Sequence, residues 1–420
     1  MSESDVPAAA APKTGLASLP RNVWAVTAAS FLTDISSEMV TNLLPMFLYT
    51  VLGARTNVIG LIEGVAETTA SILKIFSGWF SDRLGQRKSL AVAGYALSTL
   101  AKPFLLLATP LRSWTVVLGT RFGDRVGKGV RTAPRDALVA DSIDEKQRGL
   151  AFGLHRAGDT GGAVVGLLVA IIVVWYFQRS DRQLEAPVFQ TIVWLSLIPA
   201  VLAVVALAFL AREVAPRTRR EAPRFTLGLF DNRFKFFLAI MIVFTLGNSS
   251  DAFLILRAQA AGLPVLGVLG MMLTFNLVYA LVSTPAGSLS DKVGRRRLIV
   301  GGWAVYGLVY LGFALVTQGW QAWALMAVYG LYYGMTEGVA KAFVADLVPS
   351  QHRGTAYGVF NAAIGLTAFP ASLIAGVLWG GVGTWQGLGP SAPFFFGAAM
   401  ALVATALLFM LPPAAPQKQA

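Results

Sequence analysis

The chain contains no cysteine and only two histidines, His155 and His352, in 420 residues. The absence of thiols excludes disulfide bonds and thiolate metal ligands. Two isolated imidazoles argue against a histidine-built metal site. Charged residues make up 13% of the chain, whereas a soluble domain averages about 25%. Because 55% of the residues are hydrophobic, a lipid bilayer must be part of the solvent of this protein.

The sequence also lacks the motifs of ATP-driven pumps and of most enzymes. A Gly-Lys pair occurs only at Gly127-Lys128, inside an apolar segment and without a phosphate-binding loop. No serine-nucleophile motif is recognisable, and the shortage of cysteine and histidine removes other nucleophile–base pairs. We therefore expect no enzymatic activity and no cofactor or metal. The expected energy source is a proton gradient.

Apolar segments long enough to cross a bilayer, about 20 residues each, recur along the chain. We predict an all-α membrane protein with six spans, a linker and six further spans. The predicted spans lie near 24–50, 57–80, 89–109, 113–138, 148–176, 189–211, 235–259, 263–287, 298–317, 322–346, 354–380 and 393–411. The predicted domains are a disordered tail over 1–22, a bundle over 23–211, a basic linker over 212–234, a second bundle over 235–412 and a tail over 413–420.

Lysine and arginine between the spans concentrate on the side that carries both termini. The positive-inside rule predicts that this side is cytoplasmic, in a multi-pass protein of the plasma (inner) membrane. The net charge of +12 is then mostly a cytoplasmic fringe, and we expect no nucleic-acid partner. The expected partners are the bilayer and a small-molecule substrate, and we expect a monomer.

The two halves repeat each other. Asp141 and Arg148-Gly149 recur as Asp346 and Arg353-Gly354, and the stretch 78–85 recurs as 287–294 with glycine, aspartate and glycine in register. Duplicated halves in an apolar chain are typical of transporters whose halves rock about a central site.

The pattern G-x-x-x-D-R-x-G followed by basic residues, after span 2 and in part after span 8, resembles the signature loop of the major facilitator superfamily. The D-x6-R-G pairs resemble its loops between spans 4–5 and 10–11. The resemblance covers 24–411 and implies two six-helix bundles related by pseudo-twofold symmetry, a central cavity and alternating access. The residues of the expected conformational latch are Gly78, Asp82, Arg83, Gly85, Asp141, Arg148, Asp291, Gly294, Asp346 and Arg353.

Two weaker motifs bear on the kind of transporter within the superfamily. Arg125-x-x-Lys128-Gly129 is similar to the superfamily's R-x-x-Q-G, whose arginine is associated with proton coupling, with Lys128 in place of glutamine. Glycines 153, 162 and 166 match part of the superfamily's antiporter motif in span 5. The resemblance therefore favours efflux.

Span 4 is dense in charge, at steps of three and four residues that share much of one helix face. The residues are Arg121, Asp124, Arg125, Lys128, Arg131 and Arg135. One interpretation is a structural ion-pair network with Asp124 and Asp136 as local partners, because buried charges are usually paired. The other is a cavity surface for an anionic or zwitterionic substrate, with Arg121, Arg125 and Lys128 as the deepest cations.

Span 1 and span 7 both carry a Ser-Ser-acid sequence, which ends at Glu38 and at Asp251. A carboxyl group in a dry cavity beside a like charge takes up a proton more readily. We predict that Glu38 and Asp251, and next Asp34, couple transport to protons; a static salt bridge to the span 4 cations is the alternative. Asp124, Asn248, Glu337 and Tyr333 complete the predicted substrate cavity. Glu337 and Lys341 are one turn apart and favour a local ion pair, and Glu63 and Glu67 are expected at the bundle seam without an assigned role.

These observations predict a proton-coupled secondary transporter that moves a small anionic, zwitterionic or amphipathic organic solute by alternating access, with efflux by antiport favoured. Uptake of an organic anion by symport and export of cationic drugs are alternatives. A lipid-handling membrane protein is a more distant one.

Overall fold

The computed structural model describes residues 15–144, 147–180, 182–214, 227–349 and 352–412. This part of the chain is helical and contains no β-strand beyond one isolated bridge between Val382 and Trp385. The predicted tails and the predicted linker lie wholly or partly outside the described residues.

Twelve helical spans follow one another, as predicted. The first half contains α1 (Arg21–Thr41), α2 (Thr56–Leu84), α3 (Arg87–Ala101), α4 (Trp114–Ser142), α5 (Arg148–Phe177) and α6 (Ala186–Leu210). The second half contains α7 (Asn232–Gly247, resuming as Ala252–Ala260), α8 (Val265–Val293), α9 (Arg295–Leu315), α10 (Gly319–Leu347), α11 (Arg353–Gly380) and α12 (Ala392–Met410).

Three spans are irregular. After α1 the chain continues through the short helix Leu44–Met46 and a π-helical turn at Phe47–Val51. After α3 it tightens into the 3₁₀-helix Lys102–Leu107, where Pro103 has no N–H to donate. The break in α7 contains no proline, and it leaves the backbone of 248–251 outside any helix.

Eight of the described spans are long and apolar enough to cross a membrane by length and composition. The four that are not, α1, α2, α4 and α10, contain most of the charged residues predicted within the membrane. These four therefore need contact with water or with one another rather than with lipid.

The spans form two bundles of six, which meet mainly along α2 with α11 and along α5 with α8. On the side away from the termini this seam is closed. A Cβ at Gly60 would lie 2.2 Å from the Ser372 carbonyl oxygen, and one at Gly376 would lie 2.3 Å from the Thr56 carbonyl oxygen. Thr56 Oγ1 also donates to the Gly376 carbonyl, at 3.0 Å.

Toward the termini, α11 has room around it. A Cβ at Gly354 or at Gly358 would meet no atom within 4 Å. Two cavities between the spans share Tyr333, and one of them reaches Asp291 and Arg295 at the end of α8. The described residues thus show a state that is closed away from the termini and open toward them.

A side chain at Gly60 should prevent this closure. Overpacking costs ~1–3 kcal/mol, so Gly60→Val should raise the population open on the far side by about tenfold. Because the natural chain has no cysteine, Ser249→Cys in the cavity is a background-free probe. A membrane-impermeant maleimide added from the far side should label Ser249→Cys faster when Gly60→Val is also present.

Gly119→Val is the matched control, since a Cβ there would meet nothing within 4 Å. Equal labelling rates with Gly60→Val and Gly119→Val would contradict the assignment of the closed side.

Candidate functional site

A cavity of about 390 Å³ lies between the bundles, beside the break in α7. Helices α1, α2 and α4 line it from one half, and α7, α8, α10 and α11 line it from the other. It brings together six of the predicted site residues, which are Glu38, Arg121, Arg125, Asn248, Asp251 and Tyr333.

Two ion pairs cross from α4 to α2 along one wall of this cavity. Arg121 contacts the Glu63 carboxylate at 2.9 Å, with both side chains less than a tenth exposed. One turn further on, Arg125 contacts Glu67 at 3.2 Å. The direct contacts of these arginines are thus with Glu63 and Glu67 rather than with the expected local partner Asp124, because α2 packs against α4 and presents two acids at the same one-turn spacing. That matched spacing of glutamates and arginines is the signal in the sequence.

The other α4 cations diverge from the cavity, so α4 does not present one continuous cationic stripe to it. Arg131 donates to Ser98 Oγ on α3 at 2.5 Å. Arg135 contacts Asp136, its expected local partner, at 2.8 Å and donates to Ser30 on α1. Lys128 is exposed, and neither it nor Asp124 lines the cavity.

Glu38 and Asp251 face the same cavity from equivalent places in the two halves. Asn42 Nδ2 donates to Glu38 Oε2 at 2.8 Å, and Tyr329 Oη donates to Asp251 Oδ1 at 3.2 Å. Within the described part of the chain, neither carboxylate has a basic nitrogen within 4.0 Å. The alternative of a static salt bridge to the α4 cations is thus not formed in this state. Asp34 lies one turn from Glu38, outside the cavity lining.

The break in α7 is held by tyrosines from α9 and α10. Tyr306 Oη donates to the Gly247 carbonyl at 2.9 Å, and Asn248 Nδ2 approaches Tyr332 Oη at 3.5 Å. Ser250 Oγ reaches across the cavity toward Glu63 Oε2, at 3.4 Å. These contacts join helices that are distant in sequence. Of the residues involved, Asn248 alone was predicted from the sequence as a cavity residue.

Glu337 lies in the second cavity, of about 490 Å³, nearer the termini. Its carboxylate accepts from Tyr279 Oη at 2.5 Å and contacts Lys341 at 3.3 Å, so the expected local pair forms. Arg156 of α5 lies 3.8 Å from Glu337 and places its guanidinium over the Tyr279 ring. This cluster therefore spans the two bundles.

The loop after α2 is organised around Arg87. Arg87 contacts Asp82 at 2.6 Å and also pairs with Asp141 of α4, and its side chain is 3% exposed. Glu213, which follows α6, accepts the backbone N–H groups of Arg87 and Lys88 at 2.7 and 2.9 Å. Arg83, named in the expected latch, instead lies exposed with its guanidinium over Trp79.

The glycines that end α2 and α8 have positive φ angles. Gly85 ends α2 with φ +67°, and Gly294 ends α8 with φ +96°, where side chains are disfavoured. Gly78 is buried in α2. Arg148 begins α5.

The second copy of the loop is looser. Arg295 contacts Asp346 at 2.8 Å and Asp291 at 3.6 Å, but these acids are at least half exposed. Arg353 donates to the Ala345 carbonyl at 3.2 Å. The repeated sequence thus forms a buried network in the first half and an exposed one in the second.

Comparison with known proteins identifies the family. A model of the Major Facilitator Superfamily matches residues 26–274 and 236–420, which together span nearly the whole chain. The chain belongs to the major facilitator superfamily. An uncharacterized MFS-type transporter of Methanocaldococcus jannaschii is 36% identical over 94% of this chain and 95% of its own length.

Two further proteins are similar to this superfamily member. A probable 4-methylmuconolactone transporter of Cupriavidus pinatubonensis is 26% identical over 90% of this chain and 88% of its own length. A crystal structure of a mutant of the nucleoside transporter NupG superposes with a TM-score of 0.78 at 12% identity, covering 93% of this chain and 100% of the other. The structural likeness confirms the fold. Membership makes this chain a multi-pass membrane transporter.

Removing the central arginine of the first loop should destabilise the protein more than the same change in the second. Arg87→Gln removes a buried cation that contacts both Asp82 and Asp141, at a cost of ~3–5 kcal/mol. Arg295→Gln, at an exposed network, should cost less than about 1 kcal/mol. Tryptophan-fluorescence melting in detergent measures both, and equal losses would refute the difference in burial.

The α2–α4 pair makes a second stability prediction. Glu63→Gln leaves Arg121 buried without its acid and should lower the melting temperature, because an unpaired buried charge costs ~3–5 kcal/mol. The double variant Glu63→Leu with Arg121→Leu should recover most of this loss. A double variant as unstable as Glu63→Gln would show that the pair is not the relevant interaction.

Proposed function

We propose that this transporter is a secondary active carrier of a small organic solute, coupled to protons that bind Glu38 and Asp251. One observation carries the proposal: two carboxylates that form no ion pair with any described residue, at equivalent positions of the two halves, share one cavity. Ionisable groups inside a membrane protein that are not neutralised by a partner usually mark an ion pathway.

The cavity suits a small molecule. Its volume of about 390 Å³ falls within the ~300–1,000 Å³ of small-molecule sites. Both bundles that line it belong to one chain, which supports the monomer as the functional unit. The basic fringe on the termini side supports a cytoplasmic location for both termini in the inner membrane, so that the open state faces the cytoplasm.

Asp34 and Glu337 are placed so that protons and solute could pass them between this cavity and the side of the molecule that carries the termini. Asp34 lies one turn from Glu38 on the termini side of α1, and Asp34, Glu38 and Lys128 interact electrostatically. Glu337 lines the second cavity, which shares Tyr333 with the first. We propose that Asp34 relays protons and that the solute passes Glu337 as it enters or leaves.

Uptake of an organic anion by symport is the second candidate. Arg121 and Arg125 are the observation that favours it, because guanidinium groups bind carboxylates and phosphates well. In this structure both are occupied by Glu63 and Glu67, so an anion would have to displace a glutamate.

Purified protein in liposomes tests the coupling. With a pH gradient imposed and a panel of cationic, zwitterionic and anionic solutes, a pH dye inside the vesicles should report solute-dependent proton flux. Glu38→Gln and Asp251→Asn should each abolish that flux for every active solute, since the amide that replaces the carboxyl group cannot bind and release a proton. Asp144→Asn, an exposed acid before α5, should leave it unchanged. Full flux in both cavity variants would show that protons bind elsewhere.

A further inference from the structure

The charges around the cavity are unequal in number. Four carboxylates line it, those of Glu38, Glu63, Glu67 and Asp251, against the guanidinium groups of two arginines. Because both arginines are engaged by Glu63 and Glu67, two negative charges remain when every acid is ionised.

The surroundings of Asp251 contain mainly acids and phenols. Glu38, Glu63 and Glu67, all carboxylates from the other half, line the same cavity as Asp251 and act on it electrostatically. From its own half the facing groups are tyrosines, Tyr329 by a hydrogen bond and Tyr310 and Tyr333 electrostatically.

The surroundings of Glu38 are more mixed. Lys128 and Arg125 of α4 act on Glu38, and Asp34 is a like charge on its own helix. Neither cation approaches Glu38 within 4.0 Å in the described part of the chain. Among the described residues the cavity therefore has a surplus of negative charge, and its two arginines contact Glu63 and Glu67 rather than Glu38 or Asp251.

The same cavity offers aromatic faces. Phe275 and Tyr333 line it and pack edge to face, with ring centroids 5.3 Å apart. Aromatic faces attract substituted ammonium groups and other organic cations through the ring quadrupole. Met272 adds a polarisable apolar side chain to this wall.

We propose that the transported solute is an organic cation, such as a substituted ammonium, held between Glu38 and Asp251 against the rings of Phe275 and Tyr333. This deepens the function proposed above and rests on it. The cation and the proton then compete for the same carboxylates. Binding of one weakens binding of the other by the same factor, so the carrier exchanges solute for protons.

Permanent cations test this proposal, because their own charge does not change with pH. The probes are benzyltrimethylammonium and tetraphenylphosphonium, with benzenesulfonate as the anion. Calorimetric titration of the whole protein in detergent, in two buffers of different ionisation enthalpy, gives affinity and proton release together. At least one cation should bind, release protons, and bind at least about twofold more tightly at pH 8 than at pH 6, because protons compete for the same carboxylates, while benzenesulfonate binds more weakly.

Variants locate the site. Asp251→Asn should weaken cation binding by about tenfold or more, the scale of one lost charge-assisted contact, and should reduce the proton release. Phe275→Leu should weaken binding of the cations while leaving proton release per bound cation unchanged. Asp144→Asn should match the natural protein.

Three results would overturn the substrate class: neither cation binds, a cation binds without releasing protons, or benzenesulfonate binds more tightly than both cations. Suppose that one of these three results is obtained. If Glu38→Gln and Asp251→Asn nevertheless abolish proton flux in liposomes, the proton-coupled function stands and only the cation proposal fails. If those variants retain flux, the proton assignment itself fails, whatever the cations do.

Discussion

The cost of a charge in a low-dielectric interior governs the arrangement of this protein. A buried ion without a partner is several kcal/mol less stable than the same ion in water. Each buried charge therefore needs an opposite charge, hydrogen bonds from polar groups, or contact with water. The α2–α4 ladder pairs two arginines with two glutamates. Arg257, buried in the second half, is instead capped by the carbonyls of Phe313, Ala314 and Val316 at the end of α9. These cations are thus satisfied by contacts within a single bundle.

The same cost applies to Glu38 and Asp251, the two acids of the Ser-Ser-acid repeats. Among the described residues, their hydrogen-bond donors are Asn42 and Tyr329, which are neutral. Their negative charge must therefore be balanced by water, a proton or a bound cation. The break in α7 allows this, because it replaces helix with a turn at cavity depth and its freed backbone is bonded by Tyr306. Asp251, one of the two proposed proton-binding acids, thus lies on an irregular backbone segment held by tyrosines, whereas Glu38 lies within the regular helix α1.

The sequence predicted the number and approximate bounds of the spans and the duplication, because hydropathy and repetition are local signals. It also placed Glu38 and Asp251 on the two halves that the structure brings together. It assigned no role to Glu63 and Glu67, since the partner of a buried arginine is set by which helix packs beside it. Arg83 was preferred to Arg87 in the loop motif for the same reason. Arg83 and Arg87 lie in the same basic loop, and the sequence does not show which of their side chains points toward the buried aspartates.

The unequal burial of the two loop networks shows how repeated sequence can serve different ends. In the first half, Arg87 joins α2, α3 and α4, and Glu213 ties α3 to the chain after α6. In the second half, Asp291 and Asp346 are at least half exposed, so breaking their contacts with Arg295 exposes little that is not already in water. The first bundle is therefore fixed at its termini end, whereas the second can change its contacts there at low cost. Rearrangement at this end of the molecule is easier for the second half, which also carries the broken α7 and Asp251.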